Sequence, residues 1–93
     1  MVLEISFDAE NNRAVARDRG QEIGECTFSP SDNIWVIDHT FVDDKYEGQG
    51  IAKRLVDQVV GQARNQGKKI SATCPYAIRL FAGSDDYDDV VVK

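Results

Sequence analysis

Val42-Asp-Asp-Lys-Tyr-Glu-Gly-Gln-Gly-Ile-Ala-Lys-Arg-Leu55 joins two different residue patterns. Ahead of it runs Ile34-Trp-Val-Ile-Asp-His-Thr-Phe-Val42, the longest β-branched and aromatic run in the chain, which predicts a central strand. From Gly50 onward the apolar residues recur at helical spacing. Ile51, Leu55, Val59 and Ala63 form one row, with Ala52, Val56 and Val60 beside it. Asp57, Gln58, Gln62 and Arg64 fall outside that stripe. Gly48 and Gly50 stand between strand and helix. Without a Cβ the backbone there can turn tightly and admit a ligand closely. The first N–H groups of a helix lack internal partners, and its dipole makes that end positive. Strand, glycine turn and helix together can hold a phosphate, with Lys53 and Arg54 adding cationic side chains one turn in. Two glycines alone are read equally well as a tight connection that binds nothing. The pattern is neither the dinucleotide fingerprint nor the P-loop, because a third glycine and a Gly-Lys-Ser/Thr ending are missing.

Towards the N-terminus the pattern changes to alternation. Leu3 to Phe7 and Arg13 to Asp18 read as strands, and Glu22 to Phe28 as a third. Asp8 to Asn12 and Arg19-Gly20 are turn signals, and Ser29-Pro-Ser-Asp-Asn33 predicts a loop. Four strands this closely spaced predict an antiparallel meander. Beyond the helix, Gly67 is a stop signal, and Lys69 to Thr73 is a short strand that would pair in parallel across the sheet. Pro75 suits the first turn of a second helix over Tyr76 to Phe81, ended by Gly83 and Ser84. The tail, from the acidic run Asp85 to Asp89 through Val90 to Lys93, fits a helical turn or an extended segment. The fold class expected is α+β: a mostly antiparallel mixed sheet of about five strands with two main helices.

Ninety-three residues make one small domain over 1–93, with a 42% hydrophobic share sufficient for a core. A net charge of −5 argues against nucleic acid or an anionic membrane as partner. No apolar run approaches membrane-spanning length, and Met1 to Ile5 lacks a basic n-region and a long h-region, so a cytoplasmic location is expected. Cys26 and Cys74 are far apart in sequence and are expected to be free thiols. One histidine and two scattered cysteines give no metal-ligand spacing, so no metal is expected.

Three pieces of the chain resemble the GCN5-related N-acetyltransferase (GNAT) superfamily, and more closely its very small members. They are Asp38-His-Thr-Phe-Val42, Tyr46-Glu-Gly-Gln-Gly-Ile-Ala52, and Thr73-Cys-Pro-Tyr-Ala77 with Leu80-Phe81 and Tyr87 after it. The resemblance implies a GNAT-like fold and an acetyl-coenzyme A (acetyl-CoA) site. Backbone N–H groups of the glycine turn, over Glu47, Gly48, Gln49, Gly50, Ile51, Ala52 and Lys53, would take the pyrophosphate. Phe41 and Val42 would carry the pantetheine arm, with Cys74 at the edge of the groove. Glu47 departs from the family pattern, which prefers Arg or Gln there, and a carboxylate repels a diphosphate. Phe81 departs too, because it stands where larger relatives often place a tyrosine that protonates the leaving thiolate.

Catalytic candidates are Cys74, His39 and Tyr76. Cys74 occupies the position of an asparagine in many larger relatives. At a helix N-terminus its thiol would be acidified, able to accept an acetyl group or to protonate a departing thiolate. It reads equally as a small buried apolar residue. His39 suits a general base for an amine, or a histidine packed on the sheet. Tyr76 has a phenol that can act as an acid, whereas Tyr87 and Trp35 read as aromatic packing, Cys26 as core and Asp85 to Asp89 as solvated surface. The reading leans towards an N-acetyltransferase of minimal size. Its acceptor would be an exposed amine, as on a protein or peptide, and the chain a monomer or weak dimer. The alternative is a non-catalytic module that binds CoA or acyl-CoA.

Overall fold

A computed structural model describes residues 2–92, with Met1 and Lys93 outside the described residues. Strands β1 (Leu3–Asp8), β2 (Arg13–Asp18), β3 (Gln21–Ser31) and β4 (Ile34–Val42) lead through a short 3₁₀ turn to helix α1 (Ile51–Asn65). Strand β5 (Lys69–Ala72) and helix α2 (Pro75–Ala82) follow. The five strands lie in sequence order, antiparallel throughout except for the parallel β4–β5 pair. The α+β architecture, the meander and the crossover through α1 therefore agree with the residue patterns.

One stretch departs from them. Ser29 to Ser31 continue β3 instead of forming a loop, and the turn is only Asp32-Asn33, with Asp32 at φ +53°. Pro30 is tolerated because β2 stops pairing with β3 at Thr27, so Pro30 has β4 on one side and an unpaired edge on the other. In the tail, a turn closed by Tyr87 O accepting the Val90 and Val91 N–H groups leads into an extended bridge. Ile70 N–H donates to Val90 O at 2.8 Å and Val92 N–H to Ile70 O at 2.8 Å, which covers part of the β5 edge. Tyr87 anchors this tail: it is buried, its hydroxyl donates to Asp57 Oδ1 of α1 at 2.5 Å, and its ring meets Phe81 edge-on at 4.9 Å.

The apolar stripe of α1 lies against one face of the sheet. Ile51, Leu55, Val56, Val59, Val60 and Ala63 are all buried among Ala14, Ala16, Ile23, Cys26, Phe28, Trp35 and Ile37. At this stripe's centre Gly24 is required for space. A Cβ on it would stand 2.8 Å from Phe41 O and 3.3 Å from Leu55 Cδ1. The opposite face is open and polar, with the Arg13 guanidinium held by Asp8 (3.0 Å), Glu22 (2.8 Å) and Glu25 (3.0 Å).

The irregularity in β4 positions everything that follows. Thr27 pairs with His39 but Phe28 pairs with Ile37, so Asp38 is an extra residue, a β-bulge. Thr27 Oγ1 (2.6 Å) and Ser29 Oγ (2.8 Å) donate to its carboxylate and hold the bulge. Those hydrogen bonds, Thr27's first, keep the Asp38 carboxyl below its ordinary pKa against the opposing effect of partial burial. The bulge changes which residues face inward. Trp35 and Ile37 face α1, but beyond Asp38 it is Thr40 and Val42, while Phe41 is 50% exposed. Pairing with β5 ends at the same point, at Ile37, whose carbonyl accepts the Thr73 and Cys74 N–H groups. From Thr40 to Val42 the β5-facing edge of β4 is unpaired. Gly24→Ala is expected to lower stability by about 1–3 kcal/mol through overpacking. Thermal unfolding reads the change, and an unaltered melting temperature would contradict the tight approach of β3, β4 and α1.

Candidate functional site

Where β4 and β5 part, a cavity of about 530 Å³ opens at the start of α1. It is lined by Thr40, Phe41 and Val42 of β4, by Asp44, Tyr46, Glu47, Gly48 and Gly50 of the connecting loop, by Ile51 and Ala52 of α1, and by Tyr76 of α2. Gly48 and Gly50 adopt φ of +79° and +75°, the left-handed region that favours glycine. Nothing lies within 4 Å of where their Cβ atoms would be, so backbone conformation and not crowding selects glycine here. Gly50 caps α1 with no side-chain hydrogen bond, and Arg54 N–H closes the first turn onto Gly50 O at 3.2 Å. The preceding amides of Ile51, Ala52 and Lys53 thus have no helical acceptor.

The loop is pinned from below. Asp43 N–H donates to Ile23 O at 2.7 Å, and Lys45 N–H to Asp43 Oδ1 at 3.0 Å. Tyr46 OH donates to Asp18 Oδ2 at 2.6 Å, which ties the loop to the end of β2. That bond is the main reason the Asp18 carboxyl lies below its ordinary pKa and the Tyr46 phenol above its own.

Of the residues expected at a cofactor site, Phe41, Val42, Glu47, Gly48, Gly50, Ile51 and Ala52 line the cavity, while Gln49, Lys53 and Cys74 do not. The Lys53 ammonium instead meets Asp57 Oδ2 at 2.8 Å along the helix surface. Asp44 joins Glu47 on the wall, so two carboxylates border the glycine turn.

The catalytic candidates separate. Tyr76 lines the cavity, and its phenol is raised above its ordinary pKa chiefly by burial, which keeps it protonated. Cys74 lies just behind the wall, 6% exposed, at the N-cap of α2. Its Sγ is 3.5 Å from Thr40 Oγ1. Burial pushes the thiol up, but the Thr40 hydroxyl and the backbone N–H groups of Ala77 and Tyr76 outweigh it, and the net direction is down. His39 lies on the other face of β4, exposed, with Nε2 4.0 Å from Glu25 Oε2. It is therefore not gathered with Cys74 and Tyr76. Thr40, Asp44 and Tyr46 were not singled out from sequence. Strict alternation along β4 points Thr40 outward, and only the extra residue at Asp38 turns it in.

Residues 13–90 match the family model described as GCN5-related N-acetyl-transferase, and the chain belongs to that family. No curated protein sequence matches it. Among solved structures it is similar to a GCN5-like protein from Staphylococcus aureus, at 35% identity and TM-score 0.78, over 98% of this chain and 89% of that one. It is also similar to a GNAT family acetyltransferase from Elizabethkingia anophelis with acetyl-CoA bound, at 26% identity and TM-score 0.59, over 64% of this chain and 40% of that one. A third is a ribosomal-protein-alanine N-acetyltransferase from Brucella melitensis, at 27% identity and TM-score 0.59, over 68% and 52% of the two chains. The chain thus spans most of the first protein but about half or less of the other two.

Both cysteines are free and buried, yet they differ in acidity, since burial pushes the Cys26 thiol up to about 12. Iodoacetamide at about pH 8 is expected to label Cys74 first and leave Cys26 unmodified until the chain is unfolded. Peptide mass spectrometry reads this, and equal labelling rates in the folded protein would contradict the assignment.

Proposed function

We propose that the chain is a minimal N-acetyltransferase that uses acetyl-CoA and passes the acetyl group to an exposed amine, such as one on a protein or peptide. The observation that carries this reading is the cavity that runs from the glycine turn along the free edge of β4 to Tyr76. Backbone N–H groups between Gly48 and Lys53 hold the pyrophosphate, a task that needs no particular side chain. The unpaired edge at Phe41 and Val42 takes the pantetheine arm as it would take an added strand. Bound this way, acetyl-CoA supplies an activated acyl carbon close to Tyr76 and Cys74.

Two routes follow. In the direct one, the site supplies position and orientation, which account for much of the rate in such reactions. His39, beside the bulge on the open face, accepts the proton of an amine approaching from that side. The Tyr76 hydroxyl protonates the departing thiolate, a role that Phe81 cannot fill. In the covalent one, Cys74 loses its thiol proton to solvent, its Sγ bonds to the acyl carbon as the bond to the CoA sulfur breaks, and Tyr76 gives that sulfur its proton and regains one from solvent. The amine nitrogen then takes the acetyl group from Cys74 and loses its own proton to solvent. A second reading, a CoA-binding module without catalysis, is favoured by the carboxylates of Asp44 and Glu47 on the wall, which oppose a diphosphate.

Calorimetric titration with CoA, followed by assay of free thiol release from acetyl-CoA with lysine peptides, tests both. Binding with acceptor-dependent release is expected. Binding without such release selects the module, and no binding removes both readings. Glu47→Gln is expected to tighten CoA about threefold to tenfold at low salt by removing one repulsive charge, and the gain should shrink as salt is added.

A further inference from the structure

The sheet face away from α1 holds no part of the cofactor in either route above, yet it borders the site. Ser29, Asp38, His39 and Phe41 are all exposed. Phe41 belongs to both regions, because it lines the cavity and is half exposed. An acceptor amine that approaches from the side of His39 brings the rest of its molecule across this face. What the face presents therefore selects the acceptor.

Strand pairing fixes which side chains stand together. Glu25 is opposite Phe41 and Thr27 opposite His39, while Arg13 pairs with Thr27 from the other side of β3. Across β1 to β4 the face carries five carboxylates, on Glu4, Asp8, Glu22, Glu25 and Asp38, against the guanidinium groups of Arg13 and Arg17. Both arginines are engaged within the face. Arg13 meets Asp8, Glu22 and Glu25, and Arg17 meets Glu22 at 3.4 Å. On β5 the Lys69 ammonium is turned to Asp89 O at 3.0 Å. The His39 end is thus left negative. Asp38 is held by the hydroxyls of Thr27 and Ser29 and by no cation among the described residues. Glu25 gives one oxygen to Arg13 and turns the other towards His39 Nε2 at 4.0 Å. An exposed ring with a carboxylate on the opposite residue suits Lys or Arg, whose methylenes cover the ring while the cation meets the carboxylate.

We propose that this face docks the acceptor, and that the acceptor is a basic polypeptide segment: an amine with a second Lys or Arg near it, received by Glu25 and Phe41. The inference rests on the reading that the chain transfers an acetyl group, and it names the class of acceptor. A sheet face is a surface and not a cleft, whereas small molecules are held in concave sites. Such a surface binds through complementary charge spread over area, which an extended chain supplies. Side chains on one side of an extended segment recur about every 7 Å, the same step that separates His39 from Phe41 along β4. A second copy of this chain is disfavoured as occupant, because it carries the same net charge of −5.

The test is an amide-shift titration of the full chain, without CoA, using short blocked peptides that hold one central lysine flanked by lysine, by glycine or by glutamate. The lysine-flanked peptide is expected to shift the amides around Glu25, His39 and Phe41 and to bind roughly tenfold tighter than the glutamate-flanked one at low salt. That preference should fade as salt is added, and Glu25→Gln should reduce it about threefold. Equal affinity for the three peptides, or shifts confined to the helices, overturns the proposal. Spermidine binding as tightly as the lysine-flanked peptide assigns the face to small polyamines and overturns it too. Should Glu25→Gln fail to fold, the shift map and salt dependence of the wild-type chain decide. Peptide docking needs no CoA. Failure of the calorimetric titration therefore removes the acetyl-CoA reading and leaves the docking to be judged by itself. Thiol release that is indifferent to the flanking charges keeps the enzyme and removes this inference.

Discussion

A single extra residue in β4 governs the site. Asp38 shifts the register against β3 by one, and because side chains alternate with period two, every later residue of the strand changes face. Thr40 and Val42 turn towards α1 and Phe41 towards solvent. At the same point β5 leaves β4, so the bulge both opens a backbone edge and chooses the side chains beside it. Thr27 and Ser29 hold the Asp38 carboxylate from the neighbouring strand, which fixes a feature that would otherwise slip.

The second constraint is the glycine turn, and it depends on the first. Its two left-handed glycines start α1 without a side-chain cap, so the amides there are left for an incoming group. Their direction is set by contacts to the sheet: Tyr46 to Asp18, and Asp43 to Ile23. Gly24 leaves room for β3, β4 and α1 to approach closely. Free strand edge and free helix start thus border one cavity, although they belong to different elements.

The acidic character of the chain reaches the cavity wall. Asp44 and Glu47 border it, and Lys53 is engaged by Asp57. Recognition of an anion here depends on main-chain dipoles, which residue charge does not reveal. Membership of the GCN5-related N-acetyltransferase family agrees with that arrangement, and none of the described helices is long and apolar enough to cross a membrane.

Much of this was legible in the order of residues. Period-two alternation located β1 and β2, the β-branched and aromatic run located β4, the 3.6-residue stripe located α1, and Gly48 and Gly50 marked the turn, because each is a local property of the chain. Pro30 misled, since whether a strand tolerates proline depends on which of its edges is paired. The direction of Thr40, the withdrawal of His39 to the open face, and the approach of Cys74 to the Thr40 hydroxyl were decided by tertiary structure alone. Each depends on register between strands, and a one-residue bulge changes register without leaving a mark in the alternation on either side of it.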